Sequence, residues 1–303
     1  MVLRRLGDAP VLTALVGAFC IAFSSILFEL AHVSASTGAF FRCLWAVPPL
    51  LLLAYVENRR FGPRPRRGRL VAAAAGVFLA LDLIVWHRAI HEVGAGLSTV
   101  LANLQIVTVA PIAWLVLSER PQRRALAAIP VALCGVVLIS GVLGSGAYGR
   151  NPALGAVYGV LAGLAYTGFL LTLRHSSSDR RRVAGPVADL TVVACLVSGL
   201  LGLALGDLDV TPSLRATGWL VLLALSSQVL GWLVISVSLP RLPAALASVL
   251  LTLQPVLTVL LAAAILGEHP SPLQFGGVVL VLAGVLVATA GRRVPEAEPA
   301  LAE

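Results

Sequence analysis

The chain has 303 residues, 58% hydrophobic and 12% charged, and its net charge of +8 comes from 22 basic residues that are all arginine. A soluble domain devotes about a quarter of its residues to charge, so a chain of this length and composition cannot cover its surface in water, and a soluble enzyme is excluded. Arginines scattered among short connectors follow membrane topology rather than a nucleic-acid-binding patch.

Apolar runs long enough to cross a hydrocarbon core of ~30 Å recur along the sequence. The first, Pro10 to Phe28, follows Arg4 and Arg5 and is trailed by the small-residue stretch His32-Val33-Ser34-Ala35-Ser36. That pattern admits a signal peptide cleaved after Ala35. The run exceeds the usual apolar core of such peptides, however, and the repeat described below needs it as a span. Further spans are expected at Thr37–Val56, Leu70–Ile90, Leu97–Leu117, Ala125–Leu143, Ala153–Leu173, Val187–Leu205, Ala216–Val237, Ala244–Leu266 and Leu273–Ala290. Gly-, Pro- and Arg-rich connectors separate them, such as Arg59-Arg60-Phe61-Gly62-Pro63-Arg64. The acidic tail after Arg293 has the composition of a disordered segment. Cys20, Cys43, Cys134 and Cys195 all lie inside apolar runs without metal-site spacing, so they read as small buried hydrophobes, and no metal or cofactor is expected.

With the N-terminus inside, 18 of the 22 arginines fall on inner connectors, and only Arg150 and Arg215 on outer ones. Arg42 and Arg88 sit within spans. This asymmetry obeys the positive-inside rule and places both termini in the cytoplasm, which requires an even number of spans.

A repeat joins the halves. Leu101–Pro121 aligns without gaps to Leu250–Pro270, and Gln105/Gln254, Glu119/Glu268, Pro121/Pro270 and Gly135/Gly284 share one offset of 149. Arg120, Arg123 and Arg124 follow Glu119, whereas Glu268 is followed by His269 and no arginine before the last span. One motif therefore falls on two sides of the membrane. The expected fold is all-α and membrane-embedded: ten transmembrane helices as two inverted five-helix repeats, 1–148 and 149–291, with a 292–303 cytoplasmic tail. Inverted repeats are a transporter architecture with a site near the midplane.

The stretch LQPVLTVLLAAAILGEHPSPLQFGGVVLVLAGVLVA, its diverged counterpart in the first half, and the second span STGAFFRCLWAVPPLLLL give the chain a resemblance to the drug/metabolite transporter superfamily, EamA-like ten-helix branch. The resemblance covers nearly the whole chain. It implies a bacterial inner-membrane carrier, commonly an exporter of amino acids or other metabolites. Where the family usually has the proline seen at Pro255, the first half has Ile106, with Pro111 further on, so its fourth helix is expected to break differently.

Ionisable groups inside a span are costly and hence candidates for function. Asp82 lies near mid-membrane in the third span, with Trp86 four residues on and on the same face. His87, at i+5, points roughly 140° away. Asp82 beside an aromatic suits a substrate ammonium or a coupling proton, and an ion pair with Arg42 is the structural alternative. Arg42 has three readings: snorkelling outward, pairing with an acid, or binding a carboxylate in bidentate fashion. His87 reads as a proton relay or, by preference, a hydrogen-bonded packing residue. Gln105, Gln254, Gln228 and Asn103 suit a cavity lining or interhelical bridging, with Gln105 and Gln254 related by the repeat. Glu119 and Glu268 read as helix-terminating groups, Glu29 and Asp189 as near-interface acids, and Gly276, Gly277 and Gly284 as sites of close helix approach. No HExxH, phosphate loop or nucleophile elbow occurs. The partners expected are the bilayer, a small-molecule substrate and protons as coupling ion. A membrane-embedded enzyme and a non-transporting receptor are the alternatives.

Overall fold

The computed structural model of the chain describes residues 10–105, 107–108, 112, 123–144, 146–176, 182–238 and 244–289. Every regular element among them is a helix. In chain order these are α1 (Val11–Ala31, interrupted at Phe23), α2 (Ala35–Phe61), α3 (Arg66–Val93), α4 (Ala95–Ala102), α5 (Arg123–Ile139), α6 (Pro152–Ser176), α7 (Ala184–Leu205), α8 (Leu214–Ser238), α9 (Ala244–Leu261, continued as a π-helical turn Ala262–Leu266) and α10 (Pro272–Thr289). Among the described residues, α1, α2, α3, α6, α7 and α8 are long and apolar enough to cross a membrane.

Helix ends follow from local chemistry. The Ser34 side chain accepts from Thr37 N at 3.2 Å and opens α2, which stops at Gly62 with φ +80°. Gly94 at φ +89° closes α3 and turns the chain directly into α4. The sequence expectation ended α2 at Val56 and began α3 at Leu70, but both helices run on into arginine-rich turns. The 28 residues of α3 rise about 42 Å at 1.5 Å each. That exceeds the hydrocarbon thickness, and the extra turns are the arginine-rich ones, which remain helical because arginine is a good helix former.

Packing joins helices of the first half to helices of the second. Helix α3 lies along α6, and α8 along α1; α4 touches α6, and α9 touches α1. The pairs α2–α7, α5–α10 and α4–α9 also pack together, as do α3–α7, α2–α8 and α2–α3. The α5–α10 crossing depends on glycine. A Cβ on Gly135 would sit 2.7 Å from Gly277 O, and one on Gly277 would sit 2.6 Å from Gly135 O, so two backbones meet with no room for a side chain. Gly284 also approaches backbone, with Ala128 O 3.2 Å from its would-be Cβ. Gly276 does not share this role, since nothing lies nearer its own would-be Cβ than Leu138 at 4.0 Å.

Polar side chains collect at the two ends. At one end, Glu57 accepts from the backbone N–H groups of Val183, Ala184 and Gly185 at 2.8–2.9 Å, and Arg64 donates to Asp189 at 2.6 Å. Exposed Arg59, Arg60, Arg66, Arg67 and Arg69 surround that end. At the opposite end Arg88 pairs with Asp207 at 3.5 Å, Arg150 pairs with Glu92, and Glu268 sits on the start of α4.

Candidate functional site

Between the two ends, a polar network is buried among α1, α2, α7 and α8. Arg42 is only 4% exposed. Its Nε donates to Gln228 Oε1 at 3.1 Å and its Nη1 to Ser24 Oγ at 2.8 Å. Gln228 then donates from Nε2 to Thr191 Oγ1 at 3.1 Å. The outward-snorkelling reading of Arg42 is thus overturned: a guanidinium deep in the bundle is held by neutral acceptors on neighbouring helices. Gln228 reaches it from a π-helical segment of α8, Ala224–Gly231. Such segments recur at functional sites because they re-aim side chains.

Helix α1 contributes through its interruption at Phe23. On either side of it, Cys20 O accepts from Ser227 Oγ at 2.8 Å and Ala22 O accepts from Thr258 Oγ1 at 3.0 Å. Hydroxyls from α8 and α9 therefore satisfy main-chain carbonyls that would otherwise face an apolar interior. Ser24 and Ser25 follow directly. Thr99 Oγ1 on α4 lies 3.4 Å from Ser25 Oγ, and Asn103 Nδ2 donates to Thr99 O at 2.8 Å. Asn103 thus bonds within its own turn.

Asp82 is placed in the middle of α3 and is 7% exposed. It makes no hydrogen bond to another described residue and no ion pair with Arg42 within 4.0 Å. The two nevertheless lie in each other's field, together with the Tyr166 hydroxyl on α6. The direct Asp82–Arg42 contact expected as the structural alternative is therefore absent: the two bonds Arg42 makes go to Gln228 and Ser24. Trp86 and Trp232 are both buried, and each indole N–H lacks an acceptor among the described residues. Trp232 packs edge-on to Phe169 at 5.1 Å and to Tyr166 at 6.2 Å between ring centroids. Unpartnered donors, an unpartnered carboxylate and aromatic faces are what a polar guest needs in a dry interior.

His87 does not join this group. Its ring stacks on Phe28, centroids 3.8 Å apart, and its Nδ1 lies 3.1 Å from Ala35 O. These contacts tie α3 to α1 and α2, and Nε2 is buried without a partner among the described residues. Gln105 and Gln254 are buried, at 7% and 8% exposure, without side-chain bonds to other described residues. Sequence reasoning passed over Ser24, Thr191, Tyr166, Trp232 and Thr258. Only the adjacent serines Ser24-Ser25 inside an apolar run gave a signal. Ile106, Pro111 and Glu119 lie outside the described residues, as does the tail.

Glu268 is 3% exposed and accepts from Ala95 N at 2.5 Å and Gly96 N at 3.0 Å. It fixes the α9–α10 connector to the start of α4, as a helix-end group should. Burial pushes its carboxyl above the ordinary glutamate range, the two N–H donors oppose that, and Glu29 adds to it. Among the described residues, no group of three or more His, Cys, Asp or Glu side chains has the arrangement to hold a metal.

Comparison with known proteins agrees in kind. The profile described as "EamA-like transporter family" matches residues 9–141 and 153–290. The chain is 27% identical over 292 residues to "Uncharacterized transporter YwfM" of Bacillus subtilis (strain 168), covering 95% of this chain and 96% of that protein. A solved crystal structure superposes with a TM-score of 0.62 over 95% of this chain and 99% of its own, at 14% identity, and bears on the fold alone.

Proposed function

The chain belongs to the EamA-like transporter family, and from that premise we propose a secondary carrier that exports a small polar metabolite, an amino acid or related solute, across the bacterial inner membrane. In this reading ten helices form two inverted repeats, 1–148 and 149–291, and alternating access moves the solute past a site at mid-membrane. The observation that carries it is the buried Asp82 carboxylate, bonded to no other described residue and lying in the field of Arg42, on the helix that also carries Trp86. A buried acid without a bond to protein is retained at a cost of a few kcal/mol, and in a carrier that cost is offset by substrate or proton binding.

The contact pattern supports the repeat. Exchanging each helix for the one five places on converts α3–α6 into α8–α1, and α4–α6 into α9–α1, while α2–α7, α4–α9 and α5–α10 map onto themselves. Gln105 and Gln254 are an exchange pair of this kind and line the pathway in this proposal. A membrane-embedded enzyme or a receptor has no comparable use for that symmetry.

Purified protein in liposomes is expected to move a preloaded amino acid or amine down its gradient faster than protein-free liposomes do. Transport no faster than the lipid leak across a broad solute panel rejects the carrier reading. Topology has its own test. Both termini are expected in the cytoplasm, so alkaline phosphatase fused to the C-terminus should be inactive and a fluorescent protein there should fold. An active phosphatase fusion overturns the orientation.

A further inference from the structure

We propose that the arginine-rich end carries a site for one anionic phospholipid, seated where α2, α3 and α7 meet. Two adjoining cavities share Leu51, Arg69 and Asp189 there. The first, about 290 Å³, is lined by Asn58 and Arg64; the second, about 540 Å³, runs along Leu70, Ala73 and Val193. A chamber with Asn58, Arg64, Arg69 and Asp189 on its wall, adjoining an apolar trough, has the two-part chemistry of a lipid, headgroup at one end and acyl chain at the other.

Charge selects the kind of lipid. The Arg64 side chain is 7% exposed and fixed by Asp189 at 2.6 Å and Gly68 O at 3.4 Å, so it forms the floor rather than a mobile ligand. Burial lowers its pKa while Asp189 holds it up. Arg69 reaches Asp189 only at 3.6 Å and keeps its side chain 65% exposed, and Arg66 lines the trough beside it. Glu57, whose oxygens accept from the start of α7, adds a second negative charge in the field of Arg64, and Arg182 adds a further positive one. Arg64, Arg66, Arg69 and Arg182 therefore outnumber the two carboxylates Asp189 and Glu57. The surplus positive charge lies where the apolar trough begins, which is where a lipid phosphodiester sits. A choline or ethanolamine headgroup would bring its own cation into that field, whereas phosphatidylglycerol brings only the anion. Occupancy would strap together the ends of α2, α3 and α7, independently of what the carrier transports.

The test is native mass spectrometry of the detergent-purified protein with equimolar phosphatidylglycerol and phosphatidylcholine. Wild type is expected to retain phosphatidylglycerol preferentially. Each juxtamembrane arginine is worth roughly fivefold in affinity for acidic lipid, so R66Q/R69Q should lower the phosphatidylglycerol adduct by about tenfold or more. Both side chains are exposed, so the fold is kept. A control, R123Q/R124Q, removes two exposed arginines from the start of α5 and should leave the adduct unchanged. Ala73→Trp keeps every charge, fills the trough, and should lose the adduct as well. Equal retention of the two lipids, equal loss in both double variants, or displacement by free glycerol phosphate at matched concentration would each overturn the site. The second of these would show diffuse charge attraction, and the third a phosphate pocket without a lipid.

Discussion

Asp82→Asn is expected to leave the protein folded and to lower transport about ten- to hundredfold. Asparagine matches aspartate in shape, and no hydrogen bond or ion pair to a described residue is lost with the charge. What is lost is a charge-assisted contact to substrate or a proton-binding group, worth about 1.5–3 kcal/mol, and 1.4 kcal/mol is about a factor of ten. The competing account is that Asp82 serves only to balance the buried Arg42. Arg42 keeps Gln228 and Ser24 in the variant, but the nearby countercharge disappears, and an uncompensated buried cation destabilises. The two accounts separate in the double variant. If balance is all that matters, Asp82→Asn lowers yield and adding Arg42→Gln restores it, with transport per folded molecule intact. If the carboxylate handles the solute, yield holds and transport fails in both variants. Normal transport by well-folded Asp82→Asn would shift the site to Gln105 and Gln254.

The reach of the sequence differs from layer to layer. Membrane class and most helix positions were legible because apolar runs and arginine-rich breaks are one-dimensional signals. Asp82 and Arg42 stood out for the same reason, as charges in the wrong solvent. The stacking of His87 on Phe28 was not legible, since Phe28 lies on a different helix. The network itself was not legible. Ser24, Thr191 and Thr258 are ordinary helix residues until Arg42, Gln228 and the Ala22 carbonyl come within 3.1 Å of them. No glycine or proline marks the interruption of α1 at Phe23, and the π-helical stretch of α8 likewise has no local sequence signature. The Asp82–Arg42 contact failed as an expectation because sequence spacing across different helices carries no distance. For Glu268 the general role was legible, but its partners are 172–173 residues away in the chain.

Replacing Glu268 should cost stability more than any other single change in the connectors. Its two oxygens accept Ala95 N at 2.5 Å and Gly96 N at 3.0 Å in a site almost closed to solvent. Glu268→Ala leaves both donors unsatisfied, at about 1–3 kcal/mol each, so a loss of about 2–6 kcal/mol is expected. Glu268→Gln keeps one acceptor and turns its amide toward the other N–H, and should fall between. The charged form also sets a pH dependence. Burial raises the carboxyl above its ordinary value, with Glu29 on α1 adding to the rise and the two N–H donors resisting it. Of the other neighbours, Tyr148 is neutral in this range with its pKa raised further, α4 and α10 bring no titratable group, and Glu92 at the end of α3 is paired with Arg150. A folded state that holds its proton more tightly than the unfolded chain loses stability as pH rises from the unfolded to the folded pKa. Below the unfolded value both states are protonated and the slope vanishes. Wild type should therefore melt increasingly close to Glu268→Gln as pH climbs through that window, while Glu268→Ala stays below both. A Glu268→Ala protein that melts with wild type, or a wild-type-to-Gln gap that ignores pH, would show that the α9–α10 connector is held by its apolar contacts alone.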